Sequence, residues 1–312
     1  MKHFKFISLR CMILCLAIYW PYSSAQAQDP IATPKYPVVF VHGFLGFDRL
    51  FGIMPYWYGI TSKLEDAGVM VYMSQVSSVN SSELRGDQLI EQIEEQLKQF
   101  SATKVNLVGH SQGGLTARYV AAVRPDLVAS VTTIASPHTG SELADFVQKL
   151  SGGDDTKRAA FVGWFAGAFG HVMNFFSAGG LPQNGRAAVA SLTFTGLEDF
   201  NQRYPQAVPS NCGEGDYEVN GIRYYSWGGV KHWTTIIDPT DWVMWLTGLS
   251  FDEDNDGLVG RCSSHLGQVL RDDYPHNHLD EINLLFGLDG VGEVEPVNIY
   301  LEHMTRLQAD GL

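Results

Sequence analysis

Basic residues are scarce in this 312-residue chain: 21 lysines and arginines stand against 34 aspartates and glutamates, a formal charge of −13. A protein that neutralises nucleic-acid phosphates needs a basic face, so that class is excluded. Cysteine is scarcer still, and four residues do not make a disulfide-built miniprotein. Charged residues of both signs reach only 18% while aromatics reach 12%, the reverse of a disordered composition. There is no internal repeat and no linker-like stretch. Beyond the N-terminus no run reaches the ~18 uncharged apolar residues of a membrane span. What these absences leave is a globular chain of one large domain, or at most two small ones.

The start reads as an address. Lys2, Lys5 and Arg10 precede an apolar run over residues 11–20, and Ala25-Gln26-Ala27 closes it. This is the pattern of a secretory signal peptide, residues 1–27; a membrane anchor is the alternative, for which the run is short. Residues 28–312 then form a single domain. Three of the 21 basic residues leave with the leader, so 18 remain against 34 acidic ones, a formal charge of −16. Cys11 and Cys15 leave too. The remaining pair, Cys212 and Cys262, reads as a disulfide in an oxidising compartment, with two free thiols as the alternative.

Beyond the leader, short β-branched runs alternate with helical patterns. Residues 38–41, 69–73, 105–108 and 128–134 read as strands. Over 87–100 the spacing puts Leu89, Ile90, Ile93, Leu97 and Phe100 on one face of an amphipathic helix. Residues 115–123 read as a helix stopped by Pro125. This alternation predicts an α/β fold with a mostly parallel sheet flanked by helices. Residues 155–180 differ, because Phe161, Trp164, Phe165, Phe169, Phe175 and Phe176 cover more than one helical face. The segment reads either as a buried core helix or as a mobile helix over an apolar site, with Gly152-Gly153 and Gly179-Gly180 as hinges.

Gly109-His110-Ser111-Gln112-Gly113 matches G-x-S-x-G, between a predicted strand and a predicted helix. In that context the motif is a nucleophile elbow, which lifts the serine hydroxyl clear of the sheet and aims the Gln112 N–H at a developing oxyanion. His42-Gly43-Phe44-Leu45-Gly46, after the first strand, supplies a second donor at the Phe44 N–H. Serine also needs a base and an orienting acid, in the order Ser, Asp/Glu, His. Order alone does not choose among the later acids, of which Asp256 is one, nor among His265, His276, His278 and His303. The acidic run 252–257 resembles half of an EF-hand loop, but position 263, where the closing Glu belongs, is Ser263, so that site is rejected.

With these motifs the chain resembles the foldase-dependent secreted bacterial triacylglycerol lipases of the Pseudomonas–Burkholderia type, over essentially the whole mature chain. The landmarks are Tyr36-Pro37, the stretch from His42 to Asp48, Val105-Asn106-Leu107-Val108-Gly109-His110-Ser111, Arg118-Tyr119-Val120-Ala121-Ala122, Cys212-Gly213-Glu214-Gly215, Asp256-Gly257-Leu258-Val259-Gly260 and Asn277-His278-Leu279-Asp280-Glu281. The resemblance implies an α/β-hydrolase fold with a helical lid over residues 154–180. It implies Ser111, Asp256 and His278 as the triad, and makes His265 and His276 structural or surface residues. It implies a Cys212–Cys262 disulfide and one structural Ca²⁺ held by the carboxylates of Asp238 and Asp280 and the carbonyls of Leu284 and Leu288. Phe44, Gln112 and Leu284 stand where some members have Met, His and Gln, and all three act through the main chain. The implied partners are a long-chain acylglycerol at a lipid–water interface and a foldase chaperone, for a monomer secreted from a Gram-negative cell through the periplasm. A carboxylesterase, or a phospholipase or acyltransferase with the same triad, is the competing enzyme reading, and a non-enzymatic binding module is the other class.

Overall fold

A computed structural model describes residues 33–47, 49–50, 54–151, 181–284, 287 and 294–312. The expected signal peptide, the expected lid (154–180) and Leu288 lie outside the described residues.

In chain order the elements are β1 (Val38–Val41), β2 (Arg49–Leu50), β3 (Met54–Pro55), α1 (Ile60–Asp66), β4 (Val71–Met73), α2 (Ser82–Phe100), β5 (Val105–His110), α3 (Gln112–Val123) and β6 (Val128–Ile134). They continue with α4 (Glu142–Ser151), α5 (Gly185–Ala190), α6 (Phe194–Arg203), β7 (Glu218–Val219), β8 (Ile222–Gly229), α7 (Asp241–Gly248), β9 (Gln268–Tyr274) and α8 (Pro296–Ala309). The main sheet runs β4-β1-β5-β6-β8-β7, with β9 also paired to β8. Within that sheet, among the described residues, the β7–β8 pair is the only antiparallel one; β2 and β3 form a separate antiparallel pair. β1, β5 and β6 are buried at every position, which is why their sequences are continuously apolar or small rather than alternating.

Helices cover both faces. One core cluster joins Val38, Phe40 and Val108 to Trp57, Ile60, Leu64, Tyr300 and Met304. The other joins Val39, Val41 and Leu107 to Leu89, Ile93, Ala117 and Val120. Alternate residues of β1 and β5 therefore feed opposite clusters, as the strand period requires. Helix α2 starts earlier than the apolar spacing predicts. The Ser81 side chain accepts the Leu84 N–H, and Ser101 ends the helix in the left-handed region at φ 52°. Its first turns escape the apolar pattern because their buried residues are Ser82, Arg85 and Gly86.

Cys212 and Cys262 are bonded, with Cα atoms 4.9 Å apart. The bridge ties the 205–216 stretch to the turn just beyond Asp256. Closing a loop of sequence separation 50 restricts the unfolded chain by about 4 kcal/mol on the loop-entropy scale. The Cys212→Ser/Cys262→Ser double variant should lose stability on that order in chemical denaturation. Unchanged denaturation midpoints would show that the bridge does not constrain the unfolded state.

Candidate active site

Strand β5 runs into Ser111, and α3 starts one residue later. The turn is sharp: Ser111 has φ 55° and ψ −130°, a conformation that L side chains rarely adopt. Its own N–H is held by the Ile134 carbonyl at 2.8 Å. The turn closes only because the residues around it are small. A Cβ on Gly113 would meet the Val41 carbonyl oxygen at 2.1 Å, so the start of α3 lies directly on the end of β1. The Gln112 N–H opens that helix, among the first-turn donors that have no intrahelical partner.

The loop after β1 lies against the same turn. A Cβ on Gly43 would meet the Ser111 Cβ at 2.7 Å. Leu45 is left-handed at φ 57° and donates its N–H to Ser78 at 2.9 Å. Arg85, fully buried on α2, fastens this loop to the elbow. Its guanidinium donates to the Gln112 side-chain oxygen at 2.7 Å, to the His42 carbonyl and to the Gly43 carbonyl at 3.3 Å. Burial pushes its pKa down to about 9. Sequence reasoning missed Arg85; its signal was a charge four residues before Leu89 and eight before Ile93, in phase with the buried face.

Asp256 and His278 meet. His278 Nδ1 is 2.7 Å from Asp256 Oδ2, and both residues are buried. Asp256 Oδ1 accepts the N–H groups of Leu258 and Val259, each at 2.8 Å, and the His278 N–H donates to the Asp256 carbonyl at 3.0 Å. A carboxylate oxygen facing Nδ1 puts the ring proton there and leaves the Nε2 lone pair to act. His278 is joined to the elbow through His110, whose ring lies 4.4 Å from the His278 ring and whose Nε2 is 3.0 Å from the His278 carbonyl. The structure thus brings residues 110–112, 256 and 278 into one cluster. The other histidines are accounted for elsewhere: His265 bonds Asp272 at 3.0 Å, His276 bonds the Val294 carbonyl at 2.7 Å, and His303 bonds Thr132 at 2.7 Å.

Glu281, also missed, is fully buried beside this cluster. Burial first, and then the charge of Asp256, push its carboxyl well above the usual range. One oxygen accepts the Gly229 N–H, while Oε2 has no hydrogen-bond partner.

A second acidic group lies next to the loop that carries His278. Asp238 and Asp280 come together with Asp241, each offering an oxygen within 4.8 Å of the others, and all three are buried. Asp241 was not read as a site residue. It is saturated with donors: the Asn277 side chain at 2.7 Å, and the Thr235 and Thr234 N–H groups at 2.5 and 2.8 Å. Asp280 Oδ2 accepts from Thr234 and from the Asn277 N–H, and Asp238 Oδ1 accepts from Thr240. Burial raises the Asp238 carboxyl and pushes Asp280 up to about 7. Buried acids crowded in this way fit a hard cation, which would offset the charge. Leu284 lies in the same loop as Asp280. Around the cluster, Ile236, Ile237, Trp242, Trp245, Leu246 and Leu249 are exposed, a concentration of apolar surface in one stretch.

Residues 36–281 match the family described as alpha/beta hydrolase fold. The chain is an α/β-hydrolase. A triacylglycerol lipase of Vibrio cholerae serotype O1 is 48% identical over 311 residues, 99% of each chain. The triacylglycerol lipase of Pseudomonas fragi is 41% identical, covering 91% of this chain and 100% of its own; that of Burkholderia plantarii is 39% identical over 93% and 90%. Among solved structures, Bacillus licheniformis lipase BlEst2 in mature form aligns with a TM-score of 0.60 at 20% identity, over 90% of this chain and 94% of that one. Staphylococcus hyicus lipase gives 0.58 at 20% identity, over 91% and 99%. At that identity the structural likeness speaks for the fold. Among the described residues of this α/β-hydrolase, no helix is long and apolar enough to cross a membrane.

At φ 55° and ψ −130°, Ser111 stores strain that glycine would not. Ser111→Gly should therefore be more stable than Ser111→Ala by about 1 kcal/mol, read as the difference in urea-unfolding free energy. Equal stabilities would mean that the turn is unstrained.

Proposed function

We propose that this α/β-hydrolase is a triacylglycerol lipase that cleaves carboxylic esters of long-chain acylglycerols through a Ser111–His278–Asp256 triad. The observation that carries the reading is the pairing of His278 with Asp256 beside the strained elbow serine, in a chain 48% identical along its length to a triacylglycerol lipase.

His278 Nε2 takes the Ser111 proton as Oγ attacks the ester carbonyl carbon, and the carbonyl π electrons move onto oxygen. The N–H groups of Phe44 and Gln112 hold that oxyanion. It collapses, the ester C–O bond breaks, and the leaving alcohol receives the proton from His278. Water then attacks the acyl-serine by the same route, releasing a fatty acid and restoring Ser111. Asp256 keeps the His278 ring in the Nδ1–H tautomer throughout and stabilises the imidazolium as it forms.

Asp238 and Asp280, with the carbonyls of Leu284 and Leu288, would hold one Ca²⁺. The ion would neutralise the acidic cluster and tie the 238–241 stretch to the base loop. The apolar surface from Ile236 to Leu249 favours an interfacial, water-insoluble substrate over a small soluble ester, and residues 154–180 are read as the lid. Residues 1–27 are read as a secretory leader, and the sequence resemblance extends the reading to a foldase partner and a secreted monomer.

Two outcomes test the reading. Wild-type protein should release oleate from emulsified triolein and turn over p-nitrophenyl butyrate. Ser111→Ala should lose both activities by at least about 10⁴-fold while unfolding cooperatively; retained turnover would remove the triad. Removal of calcium should lower the Tm by about 5 °C or more at pH 8. The sign with pH follows from Asp280. Its raised pKa means that the ion-free fold binds a proton more tightly than the unfolded chain, so this stabilisation is complete below about pH 4 and lost as pH rises through about 7. The chelator effect should therefore shrink at pH 5. An identical Tm with and without chelator at pH 8 would remove the cation.

A further inference from the structure

We propose that Tyr56 is a positioning residue for the oxyanion loop: its hydroxyl joins the Gly43 N–H to His110, and through His110 to the His278 carbonyl, so that the Gly43–Phe44 peptide stays aimed at the reacting carbonyl. The proposal rests on the acyl-transfer reading above.

Tyr56 follows β3, belongs to no sequence motif, and is buried edge-on against Phe47 and Trp57, with ring centroids 5.5 and 5.4 Å away. Its oxygen is 3.2 Å from the Gly43 nitrogen and 2.7 Å from His110 Nδ1. The other nitrogen of His110, Nε2, is 3.0 Å from the His278 carbonyl oxygen. Glu281 Oε2 lies 4.0 Å from that nitrogen, beyond hydrogen-bond reach.

One arrangement of hydrogens satisfies all three bonds. A carbonyl only accepts, so His110 Nε2 carries a proton. Burial pushes the His110 pKa well below its ordinary value, so the ring is neutral and holds that proton alone. Nδ1 therefore offers a lone pair. Tyr56 must donate to it, which turns a lone pair of the phenol oxygen toward the Gly43 N–H. Burial pushes the phenol pKa up, which keeps its proton in place. The three segments that supply the oxyanion loop, the nucleophile and the base are thus linked at one hydroxyl.

The geometry of residue 43 shows what the link controls. Its N–H is held by Tyr56 and its carbonyl by Arg85, so the peptides on both sides cannot swing. No peptide among the described residues is cis. In a trans peptide the N–H points opposite to the preceding carbonyl, so the Phe44 N–H faces away from Arg85. With the Gly43 Cα in contact range of Ser111, a small rotation of this residue would carry the donor off the position where the oxyanion forms, and such donors act only at short range.

The test is Tyr56→Phe, which keeps the ring and removes the hydroxyl. On p-nitrophenyl butyrate, kcat should fall about 10- to 100-fold, less than the ~10²–10³ of deleting a donor outright, with KM within about twofold. Affinity for an alkylboronic acid, which forms an oxyanion-like adduct on serine, should fall in parallel, while affinity for butyrate stays the same. Tyr56→Phe combined with His110→Gln should cost little more than the worse single change, because the two act as one unit. Unchanged kcat and boronate affinity would overturn the proposal. So would a fall in kcat matched by equal loss of butyrate affinity and a Tm lowered by more than about 10 °C, which marks a structural role. Stoichiometric labelling of wild-type Ser111 by a fluorophosphonate separates the two failures: if the serine is not labelled, the acyl-transfer reading itself is wrong.

Discussion

The start of α3 and the end of β1 are in backbone contact, and the rest of the site is arranged around that contact. Gly113 leaves no room for a side chain against the Val41 carbonyl. This closeness puts the loop after β1 beside the residue that turns from β5 into α3. The cost is a half-buried serine at positive φ, and it is offset by the packing beneath it: β5 lies between β1 and β6, with α3 against them.

Around this contact the protein buries polar groups that a core usually avoids. Arg85, Tyr56, His110 and Glu281 are all sequestered, and none is paired as a simple ion pair within hydrogen-bond distance. Tyr56 and His110 satisfy each other and nearby backbone, and the terminal nitrogens of Arg85 bond Gln112 and the loop after β1, so much of their desolvation is offset by bonds of fixed direction. Arg85 Nε and Glu281 Oε2 depart from this pattern, having no hydrogen-bond partner, and the Glu281 carboxyl is driven toward the neutral form. Apolar packing alone would hold the same segments together but would not fix the orientation of individual peptides.

Much of the fold was legible in the sequence. The strands of the sheet announced themselves because buried parallel strands are apolar without alternation, and the glycines around Ser111 marked the elbow. Asp256 and His278 were named only through resemblance, since several acids and histidines satisfy the same order along the chain, and their bond is a matter of tertiary geometry. Arg85, Asp241 and Glu281 were not legible. Each is a charged residue that composition assigns to the surface, and each is buried by partners that no local pattern announces. Helix α2 was underestimated for the same reason, its first buried turn being polar and small.

The bond from His110 to the carbonyl of His278 spans 168 positions. A chain made from its N-terminus presents Ser111 long before Asp256 and His278 follow. For most of synthesis Ser111 is an ordinary hydroxyl on an unfinished sheet. The cluster is therefore complete only once residues 256 and 278 have joined residues 110–112.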